Sequence, residues 1–143
     1  MTDPPFPHIA CCYDGSAASE AAVAEGRRLR ALGDGRLTVL HVYHDPVLFG
    51  GMSDPDLGAA RDAARLWFDE RAAAWPEAEA VFLEGSASIE IDRWCAQAQP
   101  DLLITGVHHG TAHRAVLGSV TTHMVHHAPC PVLVVRVHDR QPG

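Results

Sequence analysis

The fold is decided by residues 101–137, which read DLLITG (101–106), VHHGTAHRAVL (107–117), GSVTTHMVHHA (118–128) and PCPVLVVRV (129–137). The first segment is a short apolar run that ends in glycine, and the last is rich in β-branched residues, so both are predicted to be buried strands. Between them, Val120, Met124 and Val125 recur at helical spacing, and Pro129 ends the predicted helix. This order indicates a right-handed parallel crossover, with its loop at the carboxyl end of the first strand.

The predicted helix begins at Gly118 and Ser119, next to that loop. Backbone N–H groups in the first turn of a helix lack intrahelical partners and lie at the positive end of the helix dipole. Glycine at this point removes the Cβ that would keep a ligand away from the backbone. The loop is therefore expected to bind an anion, most simply a phosphate.

The rest of the chain alternates strands with helices. Strands are predicted at 8–13, 36–43 and 80–83, and helices between Ser16 and Gly33, from 57 to 75 and from 87 to 99. On the first helix, the face predicted to be buried carries Ala21, Ala24, Leu29 and Leu32. Five strands alternating with four helices predict an α/β fold, an open parallel sheet with helices on both faces.

Length and composition bound the class of protein. A chain of 143 residues, 47% of them hydrophobic, is expected to form one domain over 1–143, in which residues 1–7 fray and 44–56 form a surface loop or a lid. Apolar runs are too short to cross a membrane and the N-terminus does not resemble a signal peptide, so a cytoplasmic location is expected. The cysteines at 11, 12, 95 and 130 form no CxxC pair and are interpreted as small hydrophobic residues.

Charge excludes several function classes. The formal net charge of −7 argues against a nucleic-acid surface, which needs clustered cations. All eleven basic residues are arginine. Without lysine, a Walker A loop lacks its phosphate-binding ammonium group, and Schiff-base chemistry lacks its amine.

Several short strings resemble the universal stress protein family. DLLITG, GSV (118–120) and HAPCPVLVV (127–135) resemble its C-terminal half, and YDGS (13–16), LHV (40–42) and EGS (84–86) extend the resemblance over nearly the whole chain. The resemblance implies the strand order 3-2-1-4-5 of adenine nucleotide alpha hydrolase-like folds. In that order the ends of the first and fourth strands, at Asp14 and Gly106, meet at a topological switch point, where open α/β sheets bind ligands.

The resemblance also implies a nucleotide site. In ATP-binding members, the aspartate after the first strand and the valine of the second hold the adenosine, whereas the glycine loop and Gly-Ser hold the phosphates. Carried over, this predicts ATP or AMP, with or without Mg²⁺, at Cys12, Asp14, Val42, Thr105, Gly106, His108, His109, Gly110, Gly118, Ser119 and Val120. The loop from Gly106 to Gly118 is one residue shorter than in those members, and its second glycine is replaced by His109 or, with the gap moved, by Gly110. Asp14 has an alternative role, because Asp-Gly after a strand also forms turns and helix caps.

Six of the ten histidines lie close together, at 108, 109, 113, 123, 126 and 127. Protonated imidazoles could contact phosphate, and the loop histidines could ligate a transition metal. No HExxH pattern or flanking carboxylate supports the metal, so no metal site is predicted. The histidine at 127 matches a position that is commonly histidine in the family.

The leading hypothesis is a non-catalytic, adenine-nucleotide-responsive regulatory module. It is expected to form a homodimer through the last strand, 131–137, whose apolar edge would otherwise be exposed. One alternative is a family member that has lost ATP binding and acts only through an unknown protein partner. A nucleotide-hydrolysing enzyme is the third, and it is disfavoured because no residue pattern supplies a catalytic base.

Overall fold

The computed structural model describes residues 3–44, 55–109 and 118–138, with backbone alone at 55–57, 108, 109 and 138. The described residues form five strands: β1 (His8–Cys12), β2 (Arg36–Tyr43), β3 (Glu79–Glu84), β4 (Leu102–His109) and β5 (Val132–His138). They also form four helices: α1 (Ala17–Arg30), α2 (Pro55–Ala72), α3 (Ala87–Ala98) and α4 (Ser119–His127). Each of these helices is too short or too polar to cross a lipid bilayer.

The strands form one parallel sheet in the order β3-β2-β1-β4-β5. Helices α1 and α2 pack on one face, where Ile9, Val39 and Ile104 contribute to the core. Helices α3 and α4 pack on the other face, around Leu40, Leu103 and Met124. The predicted fold class and strand order are confirmed, and the switch point lies between β1 and β4.

Helix α1 packs on the sheet through a face that shares only part of the predicted one: Leu29 packs against the core, whereas Ala24 is exposed. Leu32 is 63% exposed. The buried residues of the helix are Ala18, Ser19, Ala22, Val23 and Gly26. Small residues face the sheet because the helix lies very close to it: a Cβ on Gly26 would stand 2.3 Å from Cys11 Sγ. The hydrophobic pattern did not predict the whole of this face, because the close approach of the helix requires small side chains there rather than the most apolar ones.

Strand β4 is longer than predicted. The sequence pattern placed its end at Gly106, whereas it continues to His109 because β5 pairs with it beyond that point, from Gly106↔Val135 to His109↔His138. The connection to α4 is correspondingly shorter. Most of the predicted loop at 44–56 lies outside the described residues, and α2 begins at Pro55, inside that range.

The segment before β1, for which fraying was expected, contacts the turn that precedes β2. A Cβ on Gly33 would lie 2.7 Å from Pro4 Cβ, and Arg36 donates its backbone N–H to the Pro7 carbonyl at 2.8 Å. At the same end of the sheet, buried His8 bonds Thr38 Oγ1 through Nε2 at 2.8 Å.

The close contact between α1 and β1 is tested by Gly26→Ala. Alanine improves helix propensity by about 1 kcal/mol, but its methyl group would collide with Cys11 Sγ. We expect a net loss of about 1–3 kcal/mol in the free energy of unfolding, measured by urea denaturation.

Gly58→Ala in α2 is the matched control, because no atom of the part of the chain that the structure describes lies within 4 Å of its added methyl group. That variant should gain about 0.5–1 kcal/mol. Adding Cys11→Ala to Gly26→Ala removes the sulfur and should recover part of the loss, as a double-mutant cycle would measure. Equal stabilisation by the two single alanine substitutions would contradict a rigid contact.

Candidate functional site

A cavity of about 500 Å³ opens at the carboxyl end of the sheet, where β1, β2 and β4 end. The residues that line it are Cys12, Tyr13, Asp14, Ser16, Ala18, Ser19, Leu40, Val42, Ala87, Ile91, Thr105, Gly106, Val107, Gly118, Ser119, Val120 and Thr121. They come from the ends of three strands and from the first turns of α1, α3 and α4. The parallel fold brings these parts together, because in each βαβ unit the helix begins near the end of the preceding strand.

The N-terminus of α1 forms one polar wall of the cavity. Ser16 is the N-cap, and its hydroxyl accepts the backbone N–H of Ser19 at 3.1 Å. Asp14 Oδ1 accepts the backbone N–H of Ser16 at 2.9 Å, and the Asp14 N–H donates to Ser19 Oγ at 3.2 Å. The alternative structural role of Asp14 is therefore present: its carboxylate closes the turn that leads into α1.

The same contacts set the charge of Asp14. Desolvation raises the pKa of its carboxyl, but the hydrogen bonds from Ser16 and Ser19, with a smaller contribution from nearby His41, outweigh it and leave the pKa below its ordinary value. Asp14 is consequently ionised at neutral pH, beside the positive end of the α1 dipole.

The N-terminus of α4 forms the second polar wall. Its N-cap, Gly118, makes no side-chain hydrogen bond to the first turn. Thr121 Oγ1 hydrogen-bonds Thr105 Oγ1 at 3.0 Å, and both hydroxyls are buried. This pair fixes the start of α4 against β4. The first-turn amides of α4 are thereby held at the cavity with no side-chain cap from Gly118, as an anion site requires.

The remaining wall is apolar. Leu40 and Val42, two residues apart on β2, face α3, where Ile91 completes the wall. Cys12 also belongs to this wall and packs against the same apolar cluster. Burial, with smaller contributions from Cys95, Asp14 and Cys130, raises the pKa of its thiol to about 12. The thiol stays protonated at neutral pH. The cavity thus joins an apolar surface to two polar helix N-termini.

Gly106 lines the cavity, but its lack of a side chain has a second reason besides room for a ligand. It lies within β4 and faces α1, where an added Cβ would stand 2.0 Å from the Ala18 carbonyl oxygen. Gly118 differs: among the described residues, no atom lies within 4 Å of the position that a Cβ would take there. Helix packing therefore requires glycine at 106, whereas at 118 the described residues leave room for a larger side chain.

The structure places eight of the predicted nucleotide-binding residues around this cavity: Cys12, Asp14, Val42, Thr105, Gly106, Gly118, Ser119 and Val120. The backbone of His108 and His109 continues β4, and Gly110 lies outside the described residues. Sequence reasoning missed the polar groups of Ser19 and Thr121. Ser19 lies one turn after the predicted cap, and this spacing could have identified it. No sequence signal could have identified Thr121, because its hydrogen-bond partner lies on another element.

The described histidines of α4 make other contacts. His123 Nε2 hydrogen-bonds Asp92 Oδ2 at 2.6 Å and so joins α4 to α3. The ring of His127 lies 4.7 Å from that of His123, between centroids. Among the residues that the structure describes, no three potential ligands are grouped so that they could hold a metal ion.

The profile of the universal stress protein family matches residues 5–136. The chain belongs to this family. Among solved structures, the universal stress protein UspA from Lactobacillus plantarum is similar, with 29% identity over 90% of this chain and 96% of that one, and a TM-score of 0.62. No curated protein sequence matches the chain significantly.

Two further universal stress protein structures contain nucleotides. One is in complex with cAMP, at 19% identity over 91% of this chain and 96% of that one, with a TM-score of 0.61. The other, from Arabidopsis thaliana, has AMP bound, at 17% identity over 94% of each chain, with a TM-score of 0.60. At these identities the likeness shows the shared fold.

The Asp14 contacts predict a pH-dependent stability. Because the folded state lowers the pKa of Asp14 from 3.8, its carboxylate stabilises the protein above that value, and this contribution disappears as the pH falls through the folded pKa. Asp14→Asn keeps the acceptor for Ser16 and removes the charge. Urea unfolding should show the variant less stable than wild type at neutral pH, with the difference shrinking as the pH falls below 3.8.

Asp34→Asn is the control for the loss of one negative charge, since Asp34 is exposed in a turn. It should follow the pH profile of the wild type. A difference between Asp14→Asn and wild type that stays constant across this range would show that the ionised form of Asp14 is not favoured by folding.

Proposed function

We propose that this universal stress protein binds an adenine nucleotide in the cavity between β1 and β4 and acts as a non-catalytic, nucleotide-responsive module. The observation that carries the proposal is the convergence of two helix N-termini and an apolar wall on one cavity at the switch point. The cAMP and AMP complexes of two relatives with the same fold support it. A nucleotide matches this cavity chemically, because its base can pack on an apolar wall and its charged phosphate can bind at a helix N-terminus.

In this arrangement, Leu40, Val42 and Ile91 pack against the base, because they supply the apolar wall. The amides at the start of α4, after Gly118, bind phosphate oxygens. The ionised Asp14 carboxylate accepts hydrogen bonds from the hydroxyl or amino groups of the nucleoside. Each contact uses a group that the fold already holds in place, which lowers the ordering cost of binding.

The state of the ionisable side chains supports a non-catalytic role. A general base works best with a pKa near the working pH, and the pKa of Asp14 lies below even the ordinary carboxyl value. A cysteine nucleophile must be a thiolate, and the pKa of Cys12 is raised to about 12. Both groups are suited to binding rather than to proton transfer or nucleophilic attack.

Gly118→Val tests the phosphate end of the site. The described residues leave room for the larger side chain, because Gly118 has a φ of −57° and none of their atoms lies within 4 Å of an added Cβ. The branched side chain would keep phosphate away from the amides of α4. Calorimetry with ATP, ADP, AMP and cAMP, each with and without Mg²⁺, should give micromolar affinity for wild type, about −8 kcal/mol, and no measurable binding for the variant.

Gly58→Val is the matched control, because it makes the same substitution at a helix position outside the cavity lining, where no described atom lies within 4 Å of an added Cβ. It should bind as wild type does. A flat titration of wild type with all four nucleotides would contradict the proposal and favour the alternative of a family member that acts only through a protein partner. Hydrolysis of ATP at a rate lost in Asp14→Asn would contradict the non-catalytic role.

We also propose that the protein forms a homodimer through β5. This strand is one edge of the sheet, and Val132, Leu133, Val134 and Val135 remain partly exposed. The Pro131 carbonyl accepts a hydrogen bond from Leu103 N–H of β4 at 3.0 Å. The N–H and C=O groups of successive residues alternate between the two sides of a strand. Leu133 and Val135 therefore direct their backbone groups to β4, as Pro131 does, and Val134 directs its N–H to the open edge. A second copy of β5 would pair with that edge.

Val134→Pro tests this dimer, because proline removes an outward N–H and spares the hydrogen bonds to β4. Light scattering at micromolar concentration should give a dimer mass for wild type and a monomer mass for Val134→Pro, with circular dichroism unchanged. Val134→Thr keeps the N–H and should remain dimeric. A monomeric wild type, or a dimeric proline variant, would contradict pairing through this edge.

A further inference from the structure

Trp67 on α2 lies outside the cavity and directly against the turn that carries Asp14. Gly15, between Asp14 and the N-cap Ser16, has a φ of +85°, and a Cβ on it would stand 2.7 Å from Trp67 Cζ2. The backbone of the turn therefore rests on the indole ring. The left-handed backbone at Gly15 is one that a side chain rarely adopts, so glycine is required here for conformation and for space.

The indole is itself fixed by aromatic neighbours from the sheet. Tyr13 stacks on Trp67 with a centroid distance of 5.8 Å and an interplanar angle of 19°. His41 meets the indole edge to face at 5.2 Å, and its Nδ1 hydrogen-bonds the Tyr13 carbonyl at 2.9 Å. Both the residue before Asp14 and the residue after it thus contact the same ring.

We infer that Trp67 is a positioning residue for the ligand site: it acts through the turn at residues 13–16 and sets the direction of Asp14 and of the first turn of α1. This inference rests on the proposed nucleotide binding. The local hydrogen bonds of Asp14 to Ser16 and Ser19 give the turn its shape. The Tyr13 N–H donates to the Leu40 carbonyl at 2.8 Å and ties the start of the turn to β2. Contact with Trp67 supports the turn from the side of α2, at Gly15.

A consequence is that α2 and the ligand are coupled. Any displacement of α2 moves the indole under Gly15 and changes the position of Asp14, and by thermodynamic linkage the ligand restricts α2 to the same extent. Trp67 touches the turn and not the cavity, so its effect on affinity is separate from direct contact with the nucleotide.

The experiment compares Trp67→Ala and Trp67→Phe with Trp94→Ala. Trp94 is a matched control: like Trp67 it is half-buried, but it packs on His8 at the opposite end of the sheet, with a centroid distance of 5.7 Å. Calorimetry with AMP should show affinity about tenfold weaker for Trp67→Ala, equivalent to about 1.4 kcal/mol. Trp67→Phe should recover most of the affinity, and Trp94→Ala should bind as wild type does although it also lowers the melting temperature.

The outcomes separate this inference from the proposal on which it rests. Absence of AMP binding by wild type overturns both. Binding by wild type that Trp67→Ala leaves unchanged overturns the positioning role alone and makes Trp67 a core residue. Should Trp67→Ala fail to fold, the double variant Trp75→Phe/Trp94→Phe, in which Trp67 is the one fluorophore of its kind, gives the answer: AMP should shift its emission, and an unchanged spectrum on saturation overturns the inference.

Discussion

The close approach of α1 to the sheet is the constraint on which the rest of the structure depends. The helix contacts the sheet at two glycines, one on each side of the interface: Gly26 of the helix meets Cys11 of β1, and Gly106 of β4 meets the Ala18 carbonyl. Protein interiors are packed as densely as organic crystals, so a single methyl group at either point would have to displace its neighbour. These contacts fix the first turn of α1 over the ends of β1 and β4, and the cavity lies there because that turn does.

In this arrangement, different elements supply the apolar and the polar parts of the site. The sheet and α3 supply apolar surface, while α1 and α4 supply polar backbone groups. Buried polar side chains hold the parts together: the Thr105–Thr121 hydroxyl pair ties α4 to β4, and the Asp14–Ser16–Ser19 contacts close the start of α1. A hydroxyl buried without its partner would cost about 1–3 kcal/mol, so the geometry of the site is built into the stability of the fold.

The fold could be predicted from sequence because its determinants are local or repetitive. Strand and helix periods and the prolines after helices predict the elements and the fold class, while the order of the strands follows from the family resemblance that strings such as HAPCPVLVV carry. What was missed depends on contacts between elements. The buried face of α1 is selected by distance to the sheet, and the end of β4 by the length of β5. The hydrophobic pattern of one segment cannot predict its contacts with another element.

The four cysteines, of which Cys12 lines the cavity, share a chemical property. Peroxides and electrophiles attack thiolates far faster than thiols. Burial raises the pKa of all four cysteines, with Cys12 and Cys95 reaching about 12. At neutral pH these sulfur atoms are therefore held as protonated thiols and pack as small apolar groups. A cavity with a thiol in its wall can keep the same shape and the same surface whether the surrounding solution is reducing or oxidising.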